Sequence, residues 1–153
     1  MSHELVRHRI ASYSQESTRY CNYSKDKFDN QITFVIPEWL DIEEGNYSYY
    51  TFENRENKEL LIWLEAMDIA QEKYNALIKN GWQPQQARSV LPNSLKTEIV
   101  MTANLREWRE VFRQRTAKAA HPQMREIMIP LLEELKTKLP IIFNDIKYDR
   151  LHN

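Results

Sequence analysis

The sequence predicts an α+β fold, mainly helical with a small sheet, on three observations. Apolar residues recur at three- and four-residue steps over 56–79 (Leu60, Leu64, Met67, Ala70, Tyr74, Leu77, Ile78). The same periodicity returns over 104–116 and again after His121-Pro122, to about Lys138. Two short stretches, 31–36 and 96–102, instead carry β-branched or alternating residues. The chain has 153 residues, one domain's worth, so a single domain over 1–153 is expected. That length buries enough surface to need no metal or disulfide staple.

The elements follow in order. Charged residues begin at Glu4, and no leading element is expected before them. Residues 7–20 read as a basic, hydroxyl-rich turn. Residues 31–36 read as a strand stopped by Pro37, and 41–57 as a Tyr-rich loop around Gly45. A helix follows from about Glu56 to Lys79, ended by Asn80-Gly81. Pro84 suits the first turn of a short helix through Val90, closed by Leu91-Pro92. Residues 96–102 read as a strand with Ile99 and Met101 on one face. Helices are then expected over 104–116 and 122–138, the second kinked at Pro130, and a last short one from Pro140.

Composition excludes several functions. A net charge of −1 argues against a general nucleic-acid-binding surface. The only two glycines, Gly45 and Gly81, cannot write a GxGxxG fingerprint or a Walker loop. The single Cys21 cannot close an internal disulfide or build a cysteine zinc site, and a reducing, cytoplasmic setting is the simplest expectation. His3, His8, His121 and His152 show no metal-ligand spacing. No apolar run is long enough to span a membrane, and none is expected to contact one. The tryptophans read as core residues.

The chemistry concentrates in RHRIASYSQESTRY, residues 7–20. Arg7, His8, Arg9 and Arg19 stand among the hydroxyls of Ser12, Ser14, Ser17 and Thr18. Guanidinium forks match phosphate oxygens bidentately. Such a segment suits an anionic, sugar-bearing ligand or else a solvated basic turn. Arg88, in QQARSVLP, is a ligand contact or a surface residue. On a helical wheel for 104–116, Leu105, Trp108, Val111 and Phe112 share one face and Arg106, Arg109 and Arg113 the other. Arg115 falls among the apolar set. A buried arginine there needs a carboxylate, a phosphate or another strong acceptor.

These blocks together resemble the flavin-dependent thymidylate synthases. Residues 7–20 match that family's Arg-His-Arg signature, with a serine several residues on and a closing Arg-Tyr. The resemblance continues through Phe34-Val35-Ile36-Pro37, Ala87-Arg88-Ser89-Val90-Leu91-Pro92 and Thr102-Ala103-Asn104-Leu105-Arg106. It ends at Arg115 and Ala120-His121-Pro122-Gln123. It implies reductive methylation of dUMP to dTMP, with methylenetetrahydrofolate giving the carbon, NADPH the reducing power and FAD the bound cofactor. It implies flavin contacts from Arg7, His8, Arg9, Gln15, Asn104 and Arg106. Nucleotide contacts are implied for Arg7, Gln15, Glu16, Ser17, Thr18, Arg19, Arg88 and Arg115. Arg115 resembles the arginine that favours ionisation of the uracil ring. Ser14-Gln15 stands where many members have Asn-Glu, and Glu110 where they often have Asn or His.

The family also implies a homotetramer whose sites draw on several subunits. Its members carry a substantial segment before the Arg-His-Arg block, so a truncated member, a fragment or half of a split enzyme is expected, with a possible N-terminal partner segment. The alternative reading is a truncated homologue that binds flavin or nucleotide without catalysis.

Overall fold

The computed structural model describes residues 2–20 and 32–148. Cys21 and Gln31 lie outside the described residues. The elements are α1 (Ser2–Leu5), β1 (Ala11–Gln15), α2 (Lys58–Lys79), α3 (Pro84–Ala87), a 3-10 turn (Arg88–Val90), β2 (Ile99–Ala103), α4 (Leu105–Arg115), α5 (Pro122–Lys138) and α6 (Pro140–Phe143). They divide into two compact units, residues 1–15 with 99–153, and residues 16–98.

In the first unit β1 and β2 pair antiparallel, from Ala11 opposite Ala103 to Gln15 opposite Ile99. The pleat sends alternate side chains to opposite faces. Tyr13, Ile99 and Met101 therefore pack on the core, while Ser12, Ser14, Val100 and Thr102 are exposed. The core beneath is built by Leu5, Val111, Phe112, Met124, Met128, Leu132, Phe143 and Ile146. Each large side chain fully buried there contributes about 1.5–3 kcal/mol. Phe112 meets Phe143 edge-on, with ring centroids 5.7 Å apart, which fixes α4 against α6.

Asn104 caps α4, its Oδ1 accepting from the Glu107 backbone N–H at 2.9 Å. Arg109 forks onto the Asp145 carboxylate at 2.7 and 2.6 Å and also donates to the Ile142 carbonyl. The Arg109 hydrogen bond holds the Asp145 carboxyl down at about 2. α5 runs through Pro130 as one assigned helix.

In the second unit α2 buries Leu60, Leu64, Met67, Ala70 and Tyr74, the stripe that the periodicity predicts. Asn57 caps it through Oδ1, and Gly81 follows its end at φ 90°, a conformation glycine adopts without strain. Ile32, Tyr74 and Ala87 form a second core, with Phe34, Leu91 and Leu95 against it.

Four expectations need correction. A short helix, α1, precedes the basic block, seeded by only four residues. Residues 11–15 are a strand, not a turn. Among the described residues, the strand expected over 31–36 is reduced to a single bridge between Phe34 and Leu95, flanked by the Val35 N–H donating to the Ser94 carbonyl and the Lys96 N–H to the Thr33 carbonyl, and Pro37, which has no N–H, stops it. Among the tryptophans, Trp39 and Trp82 are 62% and 46% exposed, and Leu105, in the first turn of α4, is also exposed. An early-turn residue lies where the helix has not yet met the core.

Candidate functional site

The first unit joins three segments around one imidazole. His8 is only 5% exposed. Arg115, at the last position of α4, donates from Nε to His8 Nε2 at 3.0 Å. Its terminal nitrogens donate to Glu4 Oε2 at 3.2 Å and to the Glu4 carbonyl at 2.9 Å. A guanidinium has five N–H donors. Three are engaged, so each terminal nitrogen keeps one N–H without a partner among the described residues. On the other side of the ring, His8 Nδ1 lies 3.4 Å from Glu107 Oε1. The Tyr13 hydroxyl sits 2.6 Å from the Leu5 carbonyl and 2.7 Å from the His8 carbonyl, lacing the turn between them to β1.

Burial is the main cause that lowers the His8 pKa, followed by the Arg115 charge; Glu107 opposes both without cancelling them. His8 is therefore neutral at pH 7. Burial is also the first cause that raises the Tyr13 phenol.

The helical wheel places Arg115 among the apolar set, and its side chain is only 13% exposed. The acceptors it found are Glu4 and His8. Sequence reasoning missed Glu4, Glu107 and Tyr13 as its supports. Glu107, three residues after the cap Asn104, carried a helix-start signal and no site signal.

Arg7, Arg9, Asn104 and Arg106 are exposed, and Asn104 touches the cluster only as the cap that accepts from the Glu107 backbone N–H. The register places them at the same end of the two-stranded ribbon, beyond Ala11 and Ala103. Gln15 is exposed at the ribbon's other end, the last residue of β1 rather than part of a phosphate loop. The Asn104 carbonyl oxygen of the side chain is engaged as a helix cap. Glu110 accepts from Gln114 at 2.6 Å.

The second unit holds a cleft of about 480 Å³, with Thr18, Gln85, Arg88 and Ser89 as its polar lining and Leu91, Pro92 and Leu95 as its apolar wall. Arg88 donates to Thr18 Oγ1 at 2.9 Å across 70 residues of sequence. The loop that carries Thr18 is fixed at its root. The Glu16 N–H donates to the Glu98 carbonyl at 2.8 Å, and Thr97 Oγ1 donates to the Glu16 carbonyl. Ser17 Oγ accepts from the Arg19 N–H, and the exposed Arg19 guanidinium lies over the Tyr20 ring. The cleft is thus a small, partly cationic hollow floored by a short helical turn.

Among the described residues no group of three His, Cys, Asp or Glu side chains is placed to hold a metal ion. No helix among them is long and apolar enough to cross a membrane.

The family model described as thymidylate synthase complementing protein matches residues 1–141. The chain belongs to this family. Its relatives include flavin-dependent thymidylate synthases. That of Geobacter sulfurreducens is 35% identical over 144 residues, which are 94% of this chain and 55% of the relative. The Pyrococcus horikoshii protein is 38% identical over 144 residues, 92% of this chain and 53% of the relative. The chain spans about half the length of the curated relatives it matches. Among solved structures it is similar in fold to thymidylate synthase X from Helicobacter pylori, a complex with FAD and dUMP. The TM-score is 0.64 at 21% identity, over 95% of this chain and 66% of that one.

Within the family's signature, then, residues 7–20 fold into three different things: a turn built on buried His8, the strand β1, and the loop that carries Thr18.

Proposed function

We propose that the chain carries out flavin-dependent thymidylate synthesis, the reductive methylation of dUMP to dTMP. The observation that carries this reading is the Arg88–Thr18 hydrogen bond. It brings two of the signature blocks, far apart in sequence, onto one cleft of nucleotide-fragment size. There Arg88 and the loop over 16–19 supply guanidinium, hydroxyl and backbone donors suited to a phosphate. Arg115, anchored on Glu4 and His8 with N–H groups to spare, supplies a fixed cation for the uracil ring. A preorganised donor facing developing negative charge contributes about 2.7–4 kcal/mol to lowering a barrier.

FAD fits the donor set of this chain. Arg7, Arg9 and Arg106 are exposed at one end of the ribbon with no ion-pair partner among the described residues. Their forks match a cofactor pyrophosphate. When bound, FAD supplies the hydride chemistry that reduces the transferred carbon. NADPH as reductant, methylenetetrahydrofolate as carbon donor, a homotetramer and a cytoplasmic location belong to the same reading.

Visible absorbance before and after adding FAD, followed by gel filtration, tests the proposal. Retained flavin, a spectrum altered by dUMP and dUMP-dependent turnover are expected. A chain that retains no flavin and turns over no dUMP overturns it. Retained ligand without turnover would favour a binding role alone.

A further inference from the structure

Both nitrogens of His8 are engaged from α4, and their partners leave one arrangement. Arg115 Nε lies 3.0 Å from Nε2, and a guanidinium N–H can only donate. Nε2 must therefore be the unprotonated nitrogen. A neutral imidazole then carries its single proton on Nδ1, which lies 3.4 Å from the Glu107 carboxylate. We infer that Glu107 is a positioning residue: by taking the Nδ1–H of His8 it turns the Nε2 lone pair toward Arg115 and so sets where the guanidinium stands. Its functional consequence rests on the role proposed above for Arg115; its structural content does not.

The geometry is a chain of three side chains, carboxylate, imidazole and guanidinium, with all three at most 13% exposed. Glu4 holds the far end of the guanidinium and leaves its Nε end to His8. Without Glu107 the Nδ1–H loses its acceptor, and only the Arg115 donor still favours that tautomer. In the other tautomer an N–H would point at the Arg115 N–H, a donor against a donor. The groups that face His8 are Glu107, Glu110 and Arg115 from α4, and Tyr13 from β1, whose hydroxyl reaches the His8 carbonyl. Glu4, from α1, acts on it through Arg115. Protonation of His8 would remove the acceptor for Arg115 and set a second cation against it, so the arrangement is confined to pH values above the depressed His8 pKa.

Nitrogen-15 NMR on the full chain reads this directly in the unmodified protein, Glu107→Gln and Glu107→Ala. The unmodified protein is expected to show His8 with a protonated Nδ1 and a bare Nε2, and a slowly exchanging Arg115 Nε–H. Glu107→Gln keeps an oxygen acceptor and should retain both signals. Glu107→Ala should shift His8 toward the other tautomer and speed exchange of the Arg115 Nε–H at least tenfold. Misplacing a group by about 1 Å can lower a rate a hundredfold, so kcat should fall about ten- to a hundredfold in Glu107→Ala and recover in Glu107→Gln. A bare Nδ1 in the unmodified protein, or unchanged Arg115 exchange in Glu107→Ala, overturns the inference. If Glu107→Ala does not fold, Glu107→Leu, close to glutamate in volume and without an acceptor, carries the same expectations and the same refuting result. Absence of turnover in the unmodified protein counts against the proposed function alone, because the NMR signals do not depend on it.

Discussion

Replacing Arg115 by alanine separates its structural role from the chemical role proposed for it. In the folded chain the substitution removes three hydrogen bonds. His8 Nε2, on a side chain 4% exposed, is left without its donor. A buried acceptor stranded in this way costs about 1–3 kcal/mol. The Glu4 carboxylate, on a side chain 26% exposed, turns to water, and a pair of that kind contributes about 0–1 kcal/mol. The combined loss is then about 1–4 kcal/mol, and at 2–4 °C per kcal/mol the melting temperature should fall by about 2–16 °C. Typical domains hold about 5–15 kcal/mol, so the variant should remain folded. Turnover of dUMP should fall about a hundred- to a thousandfold, the effect of losing one preorganised donor. Arg115→Lys keeps the charge without the fork and should lie between the two. The assays are a thermal melt and dUMP-dependent turnover on the same preparations. A lowered melting temperature with unchanged turnover would falsify the chemical role and leave Arg115 as a structural ion pair.

Arg88→Ala removes a charge-assisted donor from the cleft and should weaken dUMP binding about ten- to a hundredfold by calorimetry; Arg19→Ala should weaken dUMP more than FAD. Because the folded pKa of His8 is lowered, the unfolded chain binds more protons below the ordinary histidine value of about 6.5. Stability should therefore fall as pH drops from about 6.5 toward the lowered folded value, and urea midpoints of His8→Gln should lack that component. Asp145 has the usual carboxylate sign, with its pKa held at about 2. Asp145→Asn should lower the melting temperature at pH 6, and the difference from the unmodified chain should vanish as pH approaches 2.

The helices were the most legible part of the chain. The stripe from Leu60 to Tyr74 and the arginine on the apolar face of α4 both follow from a 3.6-residue period, a local property. The strand over 11–15 was hidden by its composition. Its inward positions are Ala11 and Tyr13 and its outward ones Ser12 and Ser14, so the alternation is real but lacks the β-branched residues that advertise a strand. The supports of Arg115 were not legible at all. Glu4 stands 111 residues away and carries no signal beyond its charge. That pairing exists only once α1 and α4 have met the same core. The Arg88–Thr18 bond is a similar case: both residues were singled out, and only the fold shows that they meet.

The ribbon formed by β1 and β2 bears on how freely the signature block can vary. Ala11 and Tyr13 face inward, and the Tyr13 hydroxyl lies within hydrogen-bond reach of two backbone carbonyls, whereas Ser12 and Ser14 look outward. A library of single substitutions across this stretch should show tolerance rising and falling with a two-residue beat. Positions 12 and 14 would accept most side chains that suit a strand, save where a ligand or a second subunit covers them. Position 13 would accept almost none. A motif that reads as one continuous word in sequence is thus written on two faces, one answering to packing and the other free to answer to whatever the surface meets.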